Sequence, residues 1–275
     1  MKRMNLDAIL PEPITGHTSK GDQPKWQMGD TWYKADHMGS EALSEVLVSQ
    51  ILSKSNVTDF VTYEPVWIEY HGKELRGCLS KNFRRSDEML VPFEKLHRAY
   101  QGVGLASEMN AQGDVTAQLQ YTVEFIESVT GLCGVGAYLT TILELDAFTL
   151  NEDRHTNNLA VIRNEKTGEY RLCPIFDNGL SLLSDEHDYP IDADIFGCIE
   201  KVKAKPFSRS FDEQLEAAES LYGSYLKFNF KRSDIHSMLE PFIGFYDEAI
   251  INRAERIVRE QMRRYPIFFD ISYGI

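Results

Sequence analysis

The sequence has no C-x-x-C pair, no run of ~18 uncharged apolar residues and no excess of positive charge. Each absence removes a class of function. The four cysteines, Cys78, Cys133, Cys173 and Cys198, lie far apart along the chain. Neither a disulfide framework nor a cysteine zinc site is expected from them, and with no secretory leader read at the start the expected setting is a reducing cytoplasm. The most apolar window, GLCGVGAYLTTILELDAFTL, is broken by Glu144 and Asp146, so no membrane partner is expected. Lys and Arg number 29 against 42 Asp and Glu, a formal net charge of −13. A chain of that sign repels the phosphate backbone that nucleic-acid binders must neutralise, so nucleic acid is not expected as a direct partner. Internal repeats and low-complexity tracts are missing, as are H-E-x-x-H and G-x-S-x-G, the marks of zinc peptidases and α/β-hydrolases.

What is there is a globular composition, 43% hydrophobic and 26% charged over 275 residues, enough for one large domain or two modest lobes. Up to about residue 80, short alternating stretches such as VTYEPVWIEY and LRGCLSKNF, separated by HGKE, predict antiparallel strands joined by a turn. Between them, SEALSEVLVSQILSKS sets Leu43, Val46, Leu47, Ile51 and Leu52 on one stripe behind Ser40, which predicts a helix capped by that serine. After residue 90, AQLQYTVEFIESVTGL, GAYLTTILELDAFTL, SFDEQLEAAESLYGSYLKF and DEAIINRAERIVREQMRRY all carry helical periodicity. The arginines of the last read as a solvated helix face. NLAVIRNEKTGEYRLCPIFDNG interrupts the helices as two strands around an NEKTG turn. The expected fold class is α+β in two lobes. Residues 1–82 make a small antiparallel-sheet N-lobe, SKNFRRSDE holds the linker, and residues 83–275 make a mainly helical C-lobe.

The stretch LNEDRHTNN follows a helical run and crowds Asp153, Arg154, His155, Asn157 and Asn158 into one loop. Asp153 and Asn158 have the D-x-x-x-x-N spacing of a phosphoryl-transfer loop, in which the Asp accepts the proton of the attacking hydroxyl and the Asn supplies a metal oxygen. Asp177, in FDNG at the end of the hairpin, stands where such a site carries a second metal-binding carboxylate. Mg²⁺ asks for one or two such protein oxygens beside the substrate phosphates. Arg154 and His155 read as groups that hold the loop by hydrogen bonds. Upstream, Gly21 in TSKGDQPKW reads as the close-approach glycine of a phosphate-covering loop, and Lys34 in WYKAD as the cation on the nucleotide phosphates. Glu41 and Glu45 lie one turn apart on the next helix, and either can pair with Lys34. The adenine edge is expected against the backbone from Ser80 through Asn82 to Phe83. SLLSDEHDYPIDADIF, after Asp177, is where the acceptor is expected to dock, and its acidity suits a basic peptide.

TSKGDQPKW, WYKAD, DRHTNN and FDNG, in this order, resemble the HipA-like serine/threonine kinases. The specific part is the G-x-Q-x-K element of Gly21, Gln23 and Lys25 combined with D-x-x-x-x-N. The resemblance spans the kinase core without the additional N-terminal subdomain of full-length HipA proteins. It implies a bilobed kinase-like fold, ATP and Mg²⁺ as cofactors, a protein serine or threonine as acceptor, and a small antitoxin-like regulator as partner. In that family a serine three residues before the loop glycine can be autophosphorylated; Thr18 holds that place here, with Ser19 beside it. DRH followed by asparagine is also similar to phosphatidylinositol kinases. A lipid or small-molecule kinase, or a nucleotide-binding pseudokinase module, are therefore the alternative readings.

Overall fold

The computed structural model describes residues 1–12 and 23–269. Gly21, Thr18 and Ser19, expected in the phosphate loop, lie outside the described residues. The first layer contains β1 (Lys2–Asn5), β2 (Lys25–Met28), β3 (Thr31–Ala35), α1 (Glu41–Ser53), β4 (Tyr63–Tyr70) and β5 (Lys73–Lys81). The strands form one sheet in the order β1-β4-β5-β3-β2. Period-two alternation sends Val66 and Ile68 of β4 into a small core with Leu6, Trp26, Tyr33 and Ala35. The β4–β5 turn falls at His71 and Gly72, both at positive φ (51° and 72°), the backbone hand that suits the twist of a tight hairpin.

Two expectations for this layer change. Not all of its pairing is antiparallel, because β1 runs parallel to β4 with Lys2 opposite Val66 and Asn5 opposite Glu69. The long excursion through β2, β3 and α1 supplies the crossover that a parallel pair requires. Ser40 does occupy the N-cap of α1, yet its side chain makes no capping bond. Asp36 Oδ1 accepts the Ala42 N–H at 2.7 Å, and the Glu41 carboxyl turns back to accept the N–H groups of His37, Met38 and Gly39. Acidic groups are favoured at this end of a helix by its exposed N–H dipoles.

The second part contains β6 (Glu88–Pro92), α2 (Phe93–Gln101), α3 (Leu105–Met109), α4 (Val115–Thr130), α5 (Val135–Thr149), β7 (Ala160–Asn164), β8 (Tyr170–Leu172), α6 (Ile195–Lys201), α7 (Phe211–Tyr222), α8 (Arg232–Leu239) and α9 (Glu248–Arg264). The four long helices fall where the periodicity puts them, except that α7 stops before Gly223, short of SYLKF. The region is not purely helical after the linker. β6 joins the β7–β8 hairpin in a three-stranded antiparallel sheet.

The connection between β5 and β6 is held from β8. Arg171 donates from Nε to Glu88 Oε1 (2.9 Å), and from Nη2 to Glu88 Oε2 (2.8 Å) and to the Phe83 carbonyl (3.2 Å). The Arg171 hydrogen bonds draw the Glu88 carboxyl from 4.5 down to about 2, against the opposing push of burial. A depressed folded value stabilises above the unfolded one, so this contribution is complete above about pH 4.5 and is lost as pH falls through about 2. Glu88→Gln should cost about 1.5 kcal/mol at neutral pH, the lower end for a bond to a charged group. Denaturant melts across that pH window should also show a flatter acid loss than the parent; parallel pH curves would refute the assignment.

One large core runs from Ala42, Leu47 and Ile51 of α1 through Leu139 and Phe148 of α5 to Phe228 and Phe268. The two sheets divide near residue 82, but α1 belongs to the same core as the helices that follow. A second tie comes from the segment after α8. Phe245 packs edge-on against Trp67 with ring centroids 4.7 Å apart. Arg76 Nε donates to the Phe245 carbonyl at 2.7 Å, and the Tyr246 hydroxyl to Asp36 Oδ2 at 2.5 Å. Among the described residues no helix is long and apolar enough to cross a membrane.

Candidate functional site

α5 ends at Leu150 in the left-handed region, φ 58°, which turns the chain abruptly into residues 151–158. This loop is closed on itself. Asn151 donates from Nδ2 to Asp146 Oδ1 (3.0 Å) and accepts the Asp153 N–H (3.1 Å), while Asn158 Nδ2 donates to the Asp153 carbonyl (3.1 Å). Arg154 is only 1% exposed. It forks Asp146 of α5 through Nε to Oδ2 (2.9 Å) and Nη2 to Oδ1 (3.0 Å), and reaches the Phe176 carbonyl (2.8 Å) and Asn178 Oδ1 (2.7 Å). The planar five-donor guanidinium suits such a junction, because it satisfies three partners in fixed directions. The helix, the D-x-x-x-x-N loop and the FDNG segment are thereby locked to one another. His155 Nε2 stays 3.7 Å from Asp153 Oδ2, beyond hydrogen-bond reach.

The side chain that does touch Asp153 was not expected from the sequence. Lys205, in the loop between α6 and α7, donates from Nζ to Asp153 Oδ1 at 2.8 Å. The only local signal is the alternation of Lys201, Lys203 and Lys205, a small basic island in an acidic chain.

Across from this loop, Asp177 sits at φ 61°, a conformation that Asp tolerates better than most side chains. Lys34 of β3 bridges Asp177 Oδ1, at 2.7 Å, and Glu45 Oε1. The other Glu45 oxygen accepts the Asn178 N–H at 2.8 Å. Of the two glutamates left open by the sequence, Glu45 is therefore the partner of Lys34, and Glu41 is committed to the loop of residues 37–39. Burial works against the Lys34 charge, but Asp177 and Glu45 outweigh it and hold the ammonium well above the usual lysine range. Burial likewise pushes the Asp177 carboxyl up, and Lys34 followed by Lys25 overcomes it, leaving the group ionised far below the usual carboxylate range. Lys25 and Lys34 stand directly opposite each other in the β2–β3 pair.

The residues present fit a nucleotide triphosphate with Mg²⁺. Gln23 brings its side chain within 3.8 Å of where a Cβ on Gly179 would stand. Its Nε2 is buried with no hydrogen-bond partner among the described residues, a costly state for a donor and one that a phosphate oxygen would relieve. Asp177 Oδ2 and Asn158 Oδ1 make none of the hydrogen bonds among the described residues. They are hard oxygen donors of the type Mg²⁺ takes when substrate completes its shell. At the connection, Ser80 is buried inside β5 between Trp32 and Tyr63, and the Asn82 N–H is already donated to the Asp30 carbonyl. Neither Ser80 nor the Asn82 amide is therefore free to meet an adenine edge. The Asn82 carbonyl and the Phe83 amide have no partner among the described residues, and as the two ends of one trans peptide they point to opposite sides, so only one of them can meet a given edge.

The stretch expected to receive the acceptor contracts. Ser181 to Asp185 are buried, with Ser44 Oγ donating to the Ser181 carbonyl at 2.8 Å and the Ser40 N–H to that of Ser184 at 3.1 Å. A side chain at Gly39 would collide with the Ser184 carbonyl, so glycine is required for this docking. Only the later part, residues 187–194, presents several positions to solvent.

No protein-family model matches the chain, and no curated protein matches it. Among solved structures it is similar to a Helicobacter pylori proinflammatory kinase, CtkA, with a TM-score of 0.63 and 17% sequence identity. That likeness covers 95% of this chain and 95% of CtkA. At such identity the likeness speaks for the fold, which is a kinase-like α+β architecture with a small, mostly antiparallel sheet followed by a mainly helical part.

Proposed function

We propose that the chain is an ATP- and Mg²⁺-dependent phosphotransferase of the HipA-like type, with serine or threonine of a protein as acceptor. The observation that carries this reading is the chain of contacts Lys34–Glu45–Asn178–Arg154, which fixes a phosphate cation and the Asp177 carboxylate relative to the loop bearing Asp153. The kinase CtkA, alike over nearly the whole chain, supports it. In this reading Lys34 and Lys25 face the nucleotide phosphates, Gln23 donates to a phosphate oxygen, and Gly21 lets the loop approach. The Asn82–Phe83 peptide meets the adenine edge through one of its two unpaired groups, the Phe83 amide. Asp177 and Asn158 would hold Mg²⁺, which when bound neutralises phosphate charge as a Lewis acid. Asp153 takes the proton from the acceptor hydroxyl. A phosphate on Thr18 or Ser19 would put ~1.5–2 negative charges beside this site and disfavour nucleotide binding.

Calorimetry tests the metal carboxylate. Asp177→Ala should lose most of the Mg²⁺ dependence of ATP binding, and a dependence equal to the parent's would overturn the assignment. Labelled ATP, offered with cell proteins, lipids and small alcohols, should mark protein serine or threonine; label confined to lipid would favour the lipid-kinase alternative. Lys205→Met should lower kcat about tenfold or more with little change in KM for ATP. An ammonium beside the base stabilises charge where acceptor oxygen and phosphoryl group meet, a kind of contribution realised in the transition state. An unchanged kcat would return Lys205 to a surface ion pair.

A further inference from the structure

α6, α8 and α9 border an open depression of about 260 Å³ lined by Arg232, Arg256, Arg259, Arg263, Glu260 and Phe196. Its composition is unusual for a chain of net charge −13. Arg256, Arg259 and Arg263 recur at i, i+3 and i+7, so α9 turns all three to one side, and Arg232 comes from the first residue of α8. The sequence suggests a solvated face, in which each arginine finds an acidic neighbour or water. Two of the four do find neighbours: Arg259 is held by Glu255 and Arg263 by Glu260. Arg232 and Arg256 make no ion pair or hydrogen bond among the described residues. Two unneutralised guanidiniums and two partly neutralised ones therefore border one concave space.

We infer that this depression is a docking site for a phosphorylated serine or threonine segment of a partner protein. A guanidinium fork matches phosphate oxygens bidentately, and several of them around one space suit a group of ~2 negative charges better than a single carboxylate. The volume lies just below the ~300 Å³ at which small-molecule pockets begin, so it suits one modified side chain rather than a nucleotide. Phe196, 55% exposed at the rim, offers an apolar contact to the flanking residue of a peptide. Nucleic acid would need an extended basic track and meets an acidic molecule. A membrane would need a flat basic surface with apolar side chains to insert, whereas this site is concave. The site has none of Lys34, Asp153 and Asp177 in its lining, and its occupancy is read by binding alone, so it stands or falls apart from the phosphotransfer reading.

The test is fluorescence anisotropy with a degenerate phosphoserine peptide library and its unphosphorylated counterpart, using the full chain, Arg256→Glu and Arg232→Glu. Both positions are exposed and lie on different helices, so if one variant fails to fold the other still decides. The phosphorylated library should bind about tenfold or more tightly than the unphosphorylated one, and each charge reversal should remove about tenfold of that affinity. Added salt should weaken the complex, and Mg²⁺-ATP affinity should stay at the parental value. Equal affinity for the two libraries, or parental affinity in both variants, overturns the proposal. So does inorganic phosphate binding as tightly as the peptide, or binding only of phosphatidylserine vesicles or single-stranded DNA.

Discussion

Asp153→Asn should reduce phosphoryl transfer by ~10²–10⁴-fold, the usual cost of removing a general base, while Mg²⁺-ATP affinity stays near the parental value. The substitution is nearly isosteric. Asp153 is held through its own main chain, whose N–H donates to Asn151 and whose carbonyl accepts from Asn158, so the loop keeps its shape when the side-chain charge is lost. The amide can still accept from Lys205, which stands 2.8 Å from the carboxylate oxygen, but it cannot take up a proton from the acceptor. A loss confined to kcat therefore separates chemistry from folding or nucleotide binding. Single-turnover transfer at the parental rate would remove Asp153 from the mechanism.

Arg154→Met should destabilise the protein by about 3–5 kcal/mol, the range for breaking a buried ion pair by removing one partner. Asp146 is fully buried, and burial already raises its carboxyl, with the Arg154 charge offsetting only part of that push. Without the guanidinium, Asp146 must either keep an unpaired charge or take up a proton, and the Phe176 carbonyl and Asn178 side chain lose their donor as well. Adding Asp146→Leu should recover part of the loss, because an apolar pair of similar volume removes the unpaired charge. The recovery should be incomplete in activity, since the direct hydrogen bonds from Arg154 to the Phe176 carbonyl and the Asn178 side chain are still missing. Chemical denaturation measures the first effect and phosphoryl transfer the second. A parental midpoint for Arg154→Met would show that the guanidinium is not the junction described above.

The local part of this architecture was legible in the chain. The alternation in VTYEPVWIEY, the stripes of the long helices and the turn residues of the second hairpin are set by neighbours a few positions apart, and they fall where periodicity puts them. The spacing from Asp153 to Asn158 and the place of Asp177 after β8 are local in the same sense. Long-range contacts were not legible. Glu41 and Glu45 occupy one side of one helix, and only the tertiary approach of Asn178 distinguishes them. Lys205 meets Asp153 across 52 positions, with no periodic pattern to announce it. β6 was missed because EMLVP shows no alternation of buried and exposed residues. β1 was missed as a strand altogether, because KRMN is four residues long and shows no apolar alternation.

Phe245 and Tyr246 add an attachment of the first sheet that lies apart from the connection at residues 82–87 and from the ties made through α1. Arg76 and Lys81 are five residues apart on β5, about 17 Å in an extended strand. The first bonds to the Phe245 carbonyl and the second leads into the covalent crossing. With α1 packed into the shared core as a third hold, these points do not lie on one line about which the sheet could turn. Trp67 on β4 and Asp36 just beyond β3, on opposite sides of β5, are both held by the Phe245–Tyr246 segment, so the first sheet should stay seated on the helices instead of swinging open like a jaw.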